Sequence, residues 1–249
     1  MALGKNLAAM LLAGGLLLSP LNLNSYFIMY NKIKNVMIVP GHDGRKSSNR
    51  ETGRAGNEAE IALRISSRLE KKLKESGFKV FVTRDSDCYT QPLIDYTKKH
   101  FKLKNTYSIP YKIILRGIAN YANENNFDLI LNIHMDKTKA DKKRIKGFSV
   151  MCSTDNLKAN ESGELTSYTR NSMEKEFKVS NLYGKFFDGI IKRENVLLLG
   201  KHETPIKPIS MLIECGYIDD LNFRKSKTLD KVSECIYEGI MKYDEKCGD

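Results

Sequence analysis

Short apolar runs alternate with amphipathic stretches along the chain from Asn35 onward. The strand-like runs are VMIVP, FKVFVTR, FDLILNIH, GFSVMCS, NVLLLG and ISMLIE. Helical periodicity covers residues 57–76, 111–125, 173–192 and 228–243, and in the third stretch it rests on Phe177, Leu182, Phe186 and Ile190. Because strands and helices alternate, we predict a single α/β domain over residues 35–249, with a twisted, mostly parallel or mixed sheet and helices on both faces.

The first 25 residues differ in character from this alternation. Lys5 is followed by an unbroken run of apolar or glycine residues from Leu7 to Leu18 and then by the polar sequence SPLNLNS. This pattern is typical of a secretory signal peptide, and the run is shorter than the roughly 20 residues of a membrane span. We therefore expect export to the cell wall, periplasm or extracellular space. A retained membrane anchor or a packed N-terminal helix is the alternative.

Composition narrows the class of protein. The 249 residues are 41% hydrophobic and 29% charged, as in a globular protein with a substantial core. The net charge of +11 favours an anionic partner, but no nucleic-acid-binding signature accompanies it, so nucleic acid is not expected. The five cysteines are far apart and lack CxxC spacing, which argues against a cysteine-bound metal.

Candidate chemistry lies in residues that follow the strand-like runs. His42, His134 and Glu214 each come at or directly after such a run, where ligands of α/β sheets bind. Two histidines and a carboxylate can hold a water-bearing zinc ion, and a second carboxylate beside them can transfer protons. Taken singly, each histidine also suits a hydrogen-bonded structural role. Glu214 interrupts an apolar run and also suits a buried ion pair.

The fourth candidate is Glu58, at the start of the first helical stretch. With Asn57 as N-cap, Glu60 occupies the position of a capping-box partner. At ~100° per residue, Glu58 projects onto the apolar stripe of this helix, whereas Glu60 points almost to the opposite side. Glu58 therefore faces the protein body. An acid favoured by the helix dipole is an equal interpretation on helix geometry alone.

Six blocks in order give the chain, from about Asn35 to its end, a resemblance to a known family. The blocks are VPGHDG, EAEIALRISSRL, the pair Thr83-Arg84, RGIAN, NIHMD and PISMLIECGY. In this order they resemble the zinc-dependent N-acetylmuramoyl-L-alanine amidases of the amidase_3 group, which cleave bacterial peptidoglycan. No single block would be sufficient, but the shared order makes chance a poor explanation.

The resemblance implies a site and a reaction. His42, Glu58 and His134 would bind one Zn²⁺ per chain, and Glu214 would be the catalytic carboxylate. The bond cut would join the lactyl group of N-acetylmuramic acid to the L-alanine of the stem peptide. A zinc hydrolase of another amide and a non-catalytic cell-wall-binding protein of the same fold are the alternatives. Positive charge would favour contact with anionic wall polymers.

This chain departs from the usual family residues around the expected site. The departures are Val39, Asp43, Met135-Asp136 and Asp219-Asp220. They leave the four functional positions intact but bear on substrate preference and rate, because the surroundings of metal ligands tune a metal site. A basic, tyrosine-containing insertion also covers residues 95–112. We interpret it as a surface excursion, with a lid or a wall contact as the alternative.

Overall fold

The computed structural model describes residues 33–43, 52–104, 109–137, 145–182, 187–194, 196, 198–200 and 205–248. Its main strands are β1 (Asn35–Pro40), β4 (Lys79–Val82), β5 (Leu129–Asp136), β6 (Ser149–Ser153), β7 (Ile190–Arg193) and β8 (Ile209–Tyr217), and a hairpin is formed by β2 (Thr52–Gly53) and β3 (Gly56–Asn57). The helices are α1 (Glu58–Glu75), α2 (Gln91–His100), α3 (Tyr111–Glu124), α4 (Ala159–Glu174) and α5 (Ser226–Gly248), with a short 3₁₀ helix at Leu221–Arg224.

The main strands form one mixed sheet in the order β4-β1-β5-β8-β6-β7. Strands β4, β1, β5 and β8 are parallel neighbours, β6 runs antiparallel to β8, and β7 is parallel to β6. The register aligns Pro40 with Ile133 and His134 with Glu214. The carboxyl ends of the three central strands therefore meet at one edge of the sheet, as predicted.

Helices cover both faces of the sheet. Alternate strand residues such as Ile38 and Leu131 pack with α1, α4 and α5 in one apolar cluster. Their neighbours Met37 and Ile130 pack with α2 and α3 in a second cluster. Because the central strands are buried on both sides, their sequences are continuous apolar runs rather than alternating ones. The predicted fold class is confirmed.

The helix predicted at residues 173–192 is wrong. The helix of this region is α4, which ends at Glu174, and Ile190 begins β7. The buried face of α4 carries small hydroxyl residues, and Thr166 Oγ1 donates to the Ser162 carbonyl at 2.7 Å. Because hydroxyls replace large apolar side chains on that face, the hydrophobic pattern of residues 159–174 does not indicate a helix.

The strand predicted for NVLLLG is also wrong in its described part. Leu198 has a positive φ of 73°, and the amides of Leu199 and Gly200 both donate to the Val196 carbonyl. These bonds form a turn. Leu198 and Leu199 are buried, so burial rather than strand pairing accounts for the described part of the apolar run.

The insertion contains helical structure. The described part of residues 95–112 includes most of α2 and the start of α3, so it is partly helical. All five cysteines are free thiols.

The predicted signal segment, residues 1–25, lies outside the described residues. Within the described ranges, none of the helices has the length and apolar character needed to cross a membrane.

Candidate metal centre

His42 lies in the tight turn that follows β1. The Gly41 amide donates to the Ile133 carbonyl at 2.7 Å, which ties the turn to the neighbouring strand β5. His42 itself has a positive φ of 55°, an uncommon conformation for a residue with a side chain. Its ring stacks on Tyr111, with 5.8 Å between centroids and 9° between planes. The backbone and the tyrosine together fix the direction of the imidazole.

Glu58 is the first residue of α1. Asn57 is the N-cap, and its side-chain oxygen accepts from the Ala59 amide at 2.9 Å. The Glu58 side chain is 3% exposed, whereas Glu60 is exposed to solvent. The predicted orientation of the two carboxylates is therefore confirmed, and Glu58 is directed at the end of the sheet.

The carboxylate of Glu58 lies between the two histidines. Its Oε1 is 3.1 Å from His134 Nδ1, and its Oε2 is 3.3 Å from His42 Nε2. One ligand atom from each of the three side chains lies within 4.8 Å of the others. Two imidazole nitrogens and one carboxylate oxygen are a donor set that suits zinc with an open coordination position.

Glu58 is held in its ionised form by this arrangement. Burial acts to raise its pKa, but hydrogen bonds from His134 and His42 outweigh burial and lower the pKa from 4.5 to about 2. A buried carboxylate that stays ionised at all physiological pH values is ready to accept a cation.

This shift predicts acid sensitivity of the metal-free protein. Because the folded pKa lies below the unfolded one, Glu58 contributes stability above pH 4.5 that is lost as the pH falls through about 2. Between pH 4.5 and about 2, the free energy of unfolding measured in urea should fall less steeply with decreasing pH for Glu58→Gln than for wild type. Glu60→Gln, which changes an exposed carboxylate on the same helix, should keep the wild-type pH profile. Equal profiles for all three proteins would contradict the assignment.

Gly41 is required by the close approach of His134. A Cβ atom at Gly41 would lie 2.6 Å from His134 Nδ1 and Cε1, closer than non-bonded atoms tolerate. Its φ is not positive, so packing rather than backbone freedom demands glycine here. Any side chain at this position must displace the imidazole.

Gly41→Ala should therefore disable the centre without unfolding the protein. A displacement of His134 by about 1 Å is expected to lower kcat/KM on the order of 10²-fold. Gly163→Ala is the matched control, because a Cβ at Gly163 in α4 meets nothing within 4 Å. That variant should keep full activity and gain up to about 1 kcal/mol of unfolding free energy. Full activity in Gly41→Ala would show that His134 need not occupy its observed position.

Glu214 lies beside this cluster but outside it. It is the register partner of His134 on the adjacent strand β8. Its Oε2 is fully buried and has no hydrogen-bond partner among the described residues. Burial, followed by repulsion from Asp136 and Glu58, raises the pKa of Glu214 well above 4.5. A bound cation would lower this pKa again, because opposite charge favours the carboxylate.

Two of the departures from the family have structural roles. Asp219 Oδ1 accepts from the Arg54 amide at 3.3 Å, and the Ala55 amide donates to the Ile218 carbonyl, so the loop after β8 holds the hairpin that leads to Glu58. Asp220 caps the 3₁₀ helix by accepting from the Asn222 amide at 3.0 Å. These residues position backbone rather than line the centre.

Sequence reasoning did not find the contact of Tyr111. This residue lies in the insertion, and its ring reaches His42 from a separate helix. Burial raises the pKa of Tyr111 to about 12, so the phenol remains protonated at neutral pH. No local pattern around Tyr111 signals the contact, because it depends on how α3 packs against the end of β1.

Known proteins share this chain's sequence pattern and fold. Residues 36–242 match the Amidase_3 family model, described as N-acetylmuramoyl-L-alanine amidase. A germination-specific N-acetylmuramoyl-L-alanine amidase of Bacillus subtilis (strain 168) is 25% identical over 223 residues, which cover 87% of this chain and 82% of that protein.

Solved structures extend the likeness to the fold. The CwlD amidase from Clostridioides difficile, solved in complex with the GerS lipoprotein, has a TM-score of 0.61 at 20% identity, covering 84% of this chain and 98% of that one. The amidase Ami1 from Mycobacterium smegmatis also has a TM-score of 0.61, at 18% identity, covering 87% of this chain and 99% of that one.

Proposed function

The chain belongs to the amidase_3 family of N-acetylmuramoyl-L-alanine amidases, and on this basis we propose that it uses one zinc ion to hydrolyse the amide between the lactyl group of N-acetylmuramic acid and L-alanine in bacterial peptidoglycan. The observation that carries the zinc assignment is the convergence of His42, Glu58 and His134, with their ligand atoms within 4.8 Å of one another. The turn after β1, helix α1 and strand β5, far apart in sequence, supply one ligand each.

The residues present fit a zinc ion. Two neutral imidazoles and one ionised carboxylate leave a coordination position open, as catalytic zinc sites require. The Oε2 of Glu214, which has no hydrogen-bond partner among the described residues, and the nearby carboxylates also support a site that accepts a cation. Zinc bound there would lower the pKa of a coordinated water to roughly 7 and polarise the scissile carbonyl.

Glu214 is the proton-transfer residue of this proposal. As a carboxylate beside the ligand His134, it takes a proton from the attacking water while the oxygen bonds to the lactyl carbonyl carbon. It then gives that proton to the alanine nitrogen as the carbon–nitrogen bond breaks. The products are a free lactyl carboxylate and a peptide with an L-alanine amino terminus.

The surroundings assist each of these roles. Burial raises the pKa of Glu214 and a bound cation would lower it, so both act on the group that takes up and returns the proton. The turn at Gly41 and the stack on Tyr111 fix the imidazole of His42, and the N-cap Asn57 fixes the start of α1. The chain thus presents its ligands without needing substrate to order them.

Export of the chain belongs to the same proposal. Peptidoglycan lies outside the cytoplasmic membrane, and the pattern of residues 1–25 is typical of a secretory signal, while residues 35–249 form the catalytic domain. The net charge of +11 would favour approach to anionic wall polymers. Binding to purified walls should therefore weaken with added salt, because the Debye screening length falls to about 3 Å at 1 M. Salt-insensitive binding would count against this contact.

Hydrolysis in ¹⁸O-labelled water tests which bond is cut. The proposed reaction places one ¹⁸O atom in the lactyl carboxylate of the muramic acid product and none in the released peptide. Mass spectrometry of the separated products reads this directly. Label in a peptide carboxylate would assign the site to a different amide, and new reducing sugar ends in place of a labelled lactyl carboxylate would show cleavage of a glycosidic bond instead.

A further inference from the structure

Arg84 is a fully buried arginine just beyond the end of β4. Within the described residues its guanidinium donates to backbone carbonyls: Nε to Pro40 at 3.3 Å, Nη2 to Gly41 at 3.0 Å and to Ala59 at 2.5 Å, and Nη1 to Ser86 at 2.9 Å. One planar group therefore joins three separate segments of the chain.

Two of the acceptor carbonyls belong to residues adjacent to candidate metal ligands. Gly41 immediately precedes His42, and Ala59 immediately follows Glu58. A single nitrogen, Nη2, bonds both of these carbonyls. The turn that carries one candidate ligand and the helix start that carries another are thus fixed to each other through Arg84.

Stability alone is a weak reason to place a cation here. Burial lowers the pKa of Arg84, and nearby Tyr89 and Asp43 oppose this effect. The group also lies at the first turn of α1, where the helix dipole is positive and disfavours a cation. A buried charge at an unfavourable helix end needs a reason other than packing.

We propose that Arg84 is a positioning residue for the metal centre, which sets the distance between His42 and Glu58 by holding the carbonyls beside them. Lysine cannot replace it, because an ammonium lacks the planar guanidinium whose N–H groups donate to carbonyls in several directions. This inference rests on the proposed zinc site. It adds a residue that touches neither metal nor substrate.

The test is zinc affinity of the full chain, measured by titration of metal-free protein against a chromophoric chelator. Arg84→Lys should bind zinc 10- to 100-fold more weakly than wild type, as loss of a group that orients ligands typically does. The visible spectrum of the Co²⁺-substituted protein should also change, because it reports ligand geometry. Arg84→Met, which carries no charge into the core, replaces the lysine variant if that variant does not fold.

Leu69→Ala is the matched control for loss of stability. Leu69 is fully buried in α1, about three helical turns beyond Glu58. Its variant should lose thermal stability and keep wild-type zinc affinity and the wild-type Co²⁺ spectrum. Wild-type affinity in the Arg84 variant, or an equal loss in Leu69→Ala, would overturn the positioning role alone. Absence of zinc binding by wild type would overturn the proposed function itself.

Discussion

Glu214→Gln is expected to retain zinc and lose activity by about 10²- to 10⁴-fold, the usual contribution of a positioned general acid–base group. Glutamine has the same shape as glutamate but cannot take a proton from water. Glu214 also lies outside the three-residue ligand cluster, so its neutralisation leaves the donor set complete. The variant should unfold no more easily than wild type when metal-free, because it removes a buried carboxylate that has no hydrogen-bond partner on Oε2 among the described residues.

Asp136→Asn is the control for this result. Asp136 is a neighbouring acid that raises the pKa of Glu214 through repulsion, and asparagine keeps its shape without the charge. Its variant should keep most of the activity. The steady-state kinetics of both variants are measured on one preparation of peptidoglycan, and the zinc content of each purified variant is measured separately. Substantial activity in Glu214→Gln, or loss of its zinc, would remove Glu214 from the proton-transfer role.

Glu58→Ala should abolish zinc binding at micromolar metal and with it the activity. The substitution removes one of the three proposed ligands and also leaves His42 and His134 without the carboxylate that lies within 3.3 Å of both. The loss should exceed the roughly 10- to 100-fold effect of changing a group that only supports a ligand.

Glu60→Ala provides a control on the same helix. Glu60 is exposed and faces away from the centre, so zinc content and activity should match wild type. The pair of variants separates ligation from a general preference for acids at a helix N-terminus, since both residues lie in the first turn of α1. Equal behaviour of the two variants would mean that Glu58 acts through the helix dipole and not as a ligand.

Most of the centre could be predicted from sequence because its residues lie at positions fixed by local periodicity. His42, His134 and Glu214 follow apolar runs that became β1, β5 and β8, and parallel strands bring their carboxyl ends together. The helical repeat of α1 alone distinguishes Glu58 from Glu60, and the burial of the two side chains agrees.

What sequence could not predict depends on long-range packing. Hydrophobic periodicity does not indicate helix α4, because small hydroxyl residues such as Thr166 line its buried face in place of large apolar ones. The stack of Tyr111 on His42 and the bonds of Arg84 to Gly41 and Ala59 join segments separated by 25 residues or more. A Thr-Arg pair after an apolar run was visible in the sequence, but the carbonyls that it holds were not.

The central claim is tested most directly by incubating the full chain with purified peptidoglycan before and after metal removal. New L-alanine amino termini should appear with the native protein, fall to background after chelation, and return when zinc is added to the chelator-free protein. Release of reducing sugar ends in their place, unchanged release after the metal has been removed, or no release by zinc-loaded protein would contradict a zinc-dependent N-acetylmuramoyl-L-alanine amidase.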